Sequence, residues 1–324
     1  MSQAIRIHQT GGPSVMQLDS VRPEEPGAGQ VRIRHEAIGV NYIDTYHRSG
    51  LYPVPLPSGI GLEAAGHVDA IGDGVTQFAI GDRVAYGNGP IGAYAEFNTV
   101  AAGRLARIPD AVSLEQAAAI MLKGMTARYL LKETYPVKAG DTVLYHAAAG
   151  GVGLLMCQWA RDLGVTLIGT ASTSEKCELA LSMGAAHMIN SSQENIAMRV
   201  REITDGQGVP VVYDGVGRDT FEISLDCLQP RGLLASFGNA SGAVTGVDLG
   251  ILTQKGSVYV TRPSLAHYVA SDRALAANTA DVFDAVARGA VSIQINQRYA
   301  LKDAVQAHID LEGRKTTGAS ILAP

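Results

Sequence analysis

The sequence predicts an α/β chain, in which a doubly wound parallel sheet is joined to a β-rich domain. Three observations carry that expectation. From residue 141 onward, short apolar runs alternate with helical segments across short loops, the pattern of repeated β-α-β units. Before about residue 123, short β-rich runs are separated by turn residues, with few helical stretches. At the start of the alternating region, the stretch HAAAGGVG at 146–153 follows an apolar run and opens a helical one, which is the context a dinucleotide-binding turn requires.

The predicted strands of the first region cover 4–8, 31–40, 65–71, 83–85 and 94–100. Gly11-Gly12-Pro13, Gly72-Asp73-Gly74 and Gly81-Asp82 supply breaks. The alternating region starts with a strand over 142–145 and a helix over 151–163. Next come a strand over 165–169, a helix over 174–183, a strand over 187–189 and a helix over 196–203. A strand over 209–213, a helix over 220–228, and strands over 233–237 and 258–260 complete it. Six strands is the dinucleotide-binding count. After Pro263 the pattern gives a helix over 271–288, whose Ser271-Asp272 start suits an N-cap, then a strand over 293–299, a helix over 302–311 and a strand over 320–322. This tail is expected to return to the first region, so that one domain covers 1–122 and 266–324 and the other covers 123–265.

Composition narrows the function classes. With 46% hydrophobic and 18% charged residues, the chain has an ordinary globular composition, and its formal charge of −5 gives no basic field for a polyanion. Nucleic-acid binding is therefore disfavoured. No apolar run is long enough for a membrane span, and the N-terminal residues lack the basic flank and apolar core of a signal peptide. Cys157, Cys177 and Cys227 form neither a C-x-x-C pair nor an even framework. Reduced, buried thiols in the cytoplasm are the expectation.

In HAAAGGVG, Ala148 stands at the first glycine position of the fingerprint, while Gly150 and Gly153 are retained. Gly150 lets the backbone approach a pyrophosphate, and Gly153 lets helix and strand pack closely. The tip of the next strand reads Gly169-Thr-Ala-Ser-Thr-Ser-Glu-Lys176, with no carboxylate where an NAD enzyme places one against the ribose hydroxyls. Hydroxyls and Lys176 occupy the place a 2′-phosphate would take, which favours NADPH. Ser172 and Glu175 also read as a capping box, which needs no ligand.

With AIGVNYIDTYHRSGLYP (37–53), GLEAAGHV (61–68), GDRV (81–84), GMTARYLL (124–131), VVYDGVGRDT (211–220), SFGNASG (236–242) and VTRPSL (260–265), the whole chain resembles the medium-chain dehydrogenase/reductase superfamily. Within it, the chain is similar to the zinc-independent quinone oxidoreductase (zeta-crystallin-like) branch. The resemblance implies a Rossmann domain plus a GroES-like catalytic domain and a homodimer joined through the Rossmann domains near 258–261. Zinc members carry a Cys where this chain has Asn41, a His-Glu pair at Leu62-Glu63 and a Cys at Leu122, so no metal is expected. Glu63 and His67 read as ordinary packed or hydrogen-bonded groups.

The resemblance also implies a set of cofactor contacts. Asn41, Asp44 and Tyr46 face the nicotinamide, Thr126 and Tyr129 lie on a hinge helix, and Gly150, Gly151 and Val152 cradle phosphate. Ser172, Thr173 and Lys176 surround the adenosine end, followed by Phe237, Gly238, Asn239, Ser264 and Arg314. Ser191 departs from the pattern, because close relatives have a Tyr there. The implied activity is NADPH:quinone oxidoreduction, with Asn41, Tyr46 and Tyr52 as candidate donors to the acceptor carbonyl. Tyr52 also reads as a turn aromatic packing on Pro53. The alternatives are an NADPH-dependent reductase of the C=C bond of 2-alkenals and enones and, less in keeping with the acidic charge, an AU-rich RNA-binding protein.

Overall fold

The alternating segments form one parallel sheet of six strands. In spatial order they are His187–Asn190, Thr166–Ala171, Thr142–Tyr145, Val209–Asp214, Leu228–Ser236 and Tyr259–Thr261. In sequence numbering this is the order 3-2-1-4-5-6 of a doubly wound dinucleotide-binding sheet. Its strands are continuous apolar runs because both faces are covered: Val143, Leu144, Leu167, Ile168, Val211, Val212 and Leu234 are all fully buried. Leu144, Ile168, Ile189, Val212 and Leu234 pack with Val200, Phe221 and Leu225 from the helices. The strand order reverses between Thr142–Tyr145 and Val209–Asp214, so the loops after these strands flank the switch point where such sheets take ligands.

The computed structural model describes all 324 residues and places this sheet in a unit comprising Thr126–Tyr268 and Gly289–Ser292. Met1–Met125, Val269–Arg288 and Ile293–Pro324 make up the other unit. Its central strand, Gln30–Val40, alternates buried Val31, Ile33 and His35 with outward Arg32, Arg34 and Glu36. It pairs antiparallel with Ala64–Ile71, Phe97–Ala101 and the C-terminal strand Ala319–Ala323. Ile5, Ile7, Ile33, Ile38, Val68, Val84, Tyr86 and Tyr94 fill the core beneath.

Three local expectations are corrected. The strand expected over 94–100 begins only at Phe97. Tyr94 instead lies buried in the approach to it, its N–H donating to Ile60 O at 2.8 Å. The second strand of the parallel sheet runs on to Ala171, so Ser172 and Thr173 follow directly at its tip. Helix Tyr42–Ser49 is absent from the predicted elements, and helix Leu114–Tyr129 is expected only as the hinge helix that the resemblance implies for Thr126 and Tyr129, with no pattern of its own. In the second of these, every residue from Ala117 to Met121 is buried, which erases the one-sided apolar stripe by which a helix is read from sequence.

Helix Tyr42–Ser49 is anchored by a buried polar chain. Arg48 pairs with Glu312 through both terminal nitrogens (2.9 and 2.8 Å), and Arg48 Nη1 also lies 3.0 Å from His308 Nδ1. A guanidinium only donates, so His308 accepts at Nδ1 and carries its hydrogen on Nε2, facing Tyr94 Oη at 3.1 Å. Tyr94 in turn donates to Asp44 Oδ2 at 2.9 Å. Burial and the Arg48 charge hold His308 down at about 3.

Candidate active site

The fingerprint turn is shaped by backbone geometry. Ala147 adopts φ 58°, and the Gly150 N–H returns to Ala147 O at 3.0 Å. The helix Gly151–Asp162 then starts on Gly150, which offers no side-chain cap. The helices beginning at Ser174, Ile196 and Asp272 are capped by Thr173, Asn195 and Ser271. The first N–H groups of a helix lack intrahelical partners, and here no side chain takes them, so this N-terminus suits an anion. A Cβ on Gly153 would lie 2.5 Å from Ala148 O, whereas one on Gly150 would sit 3.3 Å from Ala147 O. Gly153 is therefore demanded by packing, and Gly150 leaves room above the turn.

At the next strand tip, the helix cap is Thr173, which accepts from Lys176 N at 3.3 Å, rather than the expected Ser172. The register shifts by one because the strand extends to Ala171. Hydrogen bonds from its own N–H and from Thr173 hold Glu175 below the usual carboxylate range, turning the nearest acid toward the helix start. The Ser191 hydroxyl bonds back to Ala171 O at 3.1 Å. The tip thus presents Ser172, Thr173 and Lys176, a set that fits a phosphate better than a ribose diol.

Phe237, Gly238 and Asn239 follow the fifth strand, and the exposed Ser264 follows the sixth. Arg262 ties these tips together by donating to Ser236 O (2.7 Å) and Gly238 O (2.9 Å). The residues at 150–152, 172–176, 237–239 and 264 therefore share the carboxyl-end edge of the sheet. Thr126 and Tyr129 are buried on helix Leu114–Tyr129, where the Tyr129 ring stacks on Tyr268 at 4.3 Å. Arg314 lies in the other unit, on an exposed left-handed turn after helix Ala304–Glu312.

A supporting chain of three residues, His146, Ser224 and Asp214, has no counterpart among the sequence-predicted site residues. His146, buried at the start of the turn, meets Thr170 Oγ1 with Nδ1 and Ser224 Oγ with Nε2, each at 3.1 Å. Ser224 donates to Asp214 Oδ2 at 2.9 Å, and Asp214 Oδ1 accepts from the N–H groups of Val216 (2.8 Å) and Gly217 (3.0 Å). This chain joins the two loops that flank the switch point. The available signal was an Asp at a strand end before Gly215-Val216-Gly217, which reads as an Asx turn.

In the first unit, Asn41 caps helix Tyr42–Ser49 and forms a capping box with Asp44, whose Oδ2 accepts from Asn41 N at 2.8 Å. Burial pushes Asp44 up to about 7, against the opposing bonds from Asn41 and Tyr94. Tyr46 is buried, and Tyr52 packs edge-on against it at 5.2 Å with its N–H on Tyr46 O. The Tyr52 ring also meets His47 edge-on at 6.0 Å. Glu63, fully buried, accepts from Asn41 Nδ2 (2.7 Å), Leu122 N (2.7 Å) and Lys123 Nζ (3.0 Å). An amide, two leucine side chains and one carboxylate already paired with an ammonium supply neither imidazole nor thiolate, so this donor set does not fit zinc.

Comparison with known proteins follows the same division. The family model described as alcohol dehydrogenase GroES-like domain matches residues 27–110, and the one described as zinc-binding dehydrogenase matches 151–271. A quinone oxidoreductase of Pseudomonas aeruginosa is 56% identical, with both chains covered completely. The crystal structure of Escherichia coli quinone oxidoreductase complexed with NADPH superposes with a TM-score of 0.98 at 51% identity, covering 99% of this chain and 100% of that one. A 2-haloacrylate reductase of a Burkholderia species is 45% identical, over 100% of this chain and 99% of its own. The chain belongs to the quinone oxidoreductase family of the medium-chain dehydrogenase/reductase superfamily.

Proposed function

We propose that this chain reduces quinones with NADPH by hydride transfer, without a metal ion. The observation that carries the reading is the uncapped helix start at Gly150, beside a strand tip that bears hydroxyls and Lys176 in place of a carboxylate. NADPH, when bound, supplies a hydride from C4 of its nicotinamide. Gly150, Gly151 and Val152 would hold phosphate oxygens, and Ser172, Thr173 and Lys176 the adenosine end. Phe237, Gly238, Asn239, Ser264, Thr126, Tyr129 and Arg314 are the proposed remaining contacts, with Asp44 alongside Asn41 and Tyr46 on the nicotinamide side.

A quinone accepts hydride readily, so the protein's task is to orient its carbonyl and stabilise the charge that develops on oxygen. Asn41, Tyr46 and Tyr52 are the proposed donors to that oxygen. The hydroquinone anion takes its proton from water, and no side chain is assigned as a dedicated acid. Reduction of an activated C=C bond is the second reading, favoured by the likeness to the 2-haloacrylate reductase.

No helix of the chain is long and apolar enough to cross a membrane. The three cysteines are free and buried, which supports the proposed place in a reducing compartment, the cytoplasm. The strand Tyr259–Thr261 is an edge of the parallel sheet, with Tyr259 and Val260 exposed. A bare edge invites pairing, and a homodimer through this edge is the proposed assembly.

NADPH oxidation by 1,4-benzoquinone tests the reading together with Lys176→Ala. The wild-type chain should turn over with NADPH, and the variant should raise KM for NADPH by about 10–100-fold, the scale of one lost charge-assisted phosphate contact. KM for NADH should stay unchanged. An equal loss for both nucleotides would contradict the assignment of Lys176 to the 2′-phosphate.

A further inference from the structure

Glu63 and Lys123 form an ion pair that hydride transfer as set out above does not use. Both side chains are nearly inaccessible, at 0% and 7% exposure, and Glu63 also takes hydrogen bonds from Asn41 and Leu122. Its approach requires Gly39, where a Cβ would lie 2.1 Å from Glu63 Oε2. A side chain so enclosed is set in place by the fold, and its protonation state has chemical consequences for the amide beside it.

We infer that Lys123, acting through Glu63, is a positioning residue that fixes the Asn41 amide so that an N–H, not its oxygen, is available to the substrate. The inference rests on the reading of Asn41 as a donor to the acceptor's carbonyl oxygen. An ionised carboxylate can only accept, so Asn41 must turn Nδ2 toward Glu63. The Asp44 N–H donates to the backbone O of Asn41 at 3.0 Å, and the Asp44 carboxylate accepts from Asn41 N. The second N–H of Nδ2 has no acceptor in the chain, and a carbonyl oxygen is the group it suits. A protonated Glu63 would remove this constraint, because an acid can donate as well as accept, and either end of the amide could face it. The Lys123 ammonium donates at 3.0 Å to the same Oε2 that accepts from Asn41, and it is the cation paired with this carboxylate. The other titratable groups acting on this cluster are Asp44 and Tyr94. Gly39, which packs against Glu63, brings none.

Lys123→Met keeps the length of the side chain and removes its charge, and a buried carboxyl without a cation favours its neutral form. With 1,4-benzoquinone, kcat of this variant relative to wild type should fall about tenfold or more near pH 6 and recover toward wild type near pH 9. The NADPH dissociation constant should change less than kcat, because the proposed phosphate and adenosine contacts are untouched. Lys123→Arg should restore the wild-type profile. The Lys123 charge also acts on Asp44, so Asp44 shifts in Lys123→Met as well, and the double variant Glu63→Gln/Lys123→Met, which has no carboxylate at 63, separates the Asp44 contribution from that of Glu63. This double variant buries no charge and remains informative if the single variant does not fold. Its introduced glutamine amide can turn either end to Asn41, so kcat should be low at every pH with no recovery. A folded Lys123→Met with the wild-type profile, or a double variant with wild-type kcat, overturns the inference. Wild-type enzyme that fails to reduce quinones would instead overturn the functional reading beneath it.

Discussion

Gly153→Ala is expected to lower both the thermal stability of the chain and its affinity for NADPH, the latter by about 100-fold or more, while Gly150→Ala lowers the affinity alone. The difference follows from what each new Cβ meets. At 153 it would press to 2.5–2.7 Å against the backbone O, C and Cα of Ala148, so the helix must back away from the turn. Overpacking of that kind costs about 1–3 kcal/mol and moves the N–H groups that face the phosphates. At 150 the nearest atom is Ala147 O at 3.3 Å and φ is −77°, which any residue adopts. Ala147 O need give by only a few tenths of an ångström there, so a ligand pressed against the turn would feel the added methyl most. Calorimetric Tm and a fluorescence titration with NADPH separate the two effects. Equal destabilisation by both substitutions, with NADPH binding intact in Gly150→Ala, would make the turn a packing device rather than a phosphate site.

Stability should fall as pH drops from 6.5 to 4, by roughly 1 kcal/mol per pH unit on average. Burial lowers His35 to about 4 and lowers His308 to about 3, so both stay neutral in the folded chain over a range where the unfolded chain protonates them. In that window the unfolded state holds two more protons on these groups. Asp44 works in the opposite sense: raised to about 7, it is protonated in the folded chain and ionised in the unfolded one until the pH nears its ordinary value of 3.8. The net difference is one proton in favour of the unfolded state, so stability is lost on acidification. Roughly 2–3 kcal/mol disappears across the window, a sizeable part of a typical folding free energy. His146 and His47, also lowered by burial, act in the same direction. Urea unfolding at stepped pH measures the slope. A flat profile from 6.5 to 4 would mean that these histidines are not held neutral.

The parts readable from the sequence were those whose physics is local. The six parallel strands announce themselves as apolar runs, and the dinucleotide turn sits between a strand and a helix where a close approach needs glycine. The missing carboxylate after Ala171 is visible as plain composition. Less local features were hidden. The cap at Thr173 was displaced by one residue because strand length, not the Ser-x-x-Glu pattern, decides where the helix starts. Helix Leu114–Tyr129 carries no amphipathic stripe, since burial on all sides removes the contrast that periodicity needs. Lys123 lies on that helix, 60 residues from Glu63, and a lone lysine in an apolar run has no sequence sign of a partner. Glu63 and His67 were read together as ordinary polar groups. The structure separates them, leaving His67 half-buried 3.6 Å from Glu36 and Glu63 at the centre of the Asn41 cluster.

The most direct test of metal-free hydride transfer to a quinone is steady-state NADPH oxidation by enzyme dialysed against a chelator, with 1,4-benzoquinone and a 2-alkenal as alternative acceptors. The donor set around Asn41 and Glu63 predicts that kcat/KM for the quinone is untouched by chelation and exceeds that for the alkenal. Activity that vanishes on chelation and returns with zinc would contradict it, as would a higher kcat/KM for the alkenal.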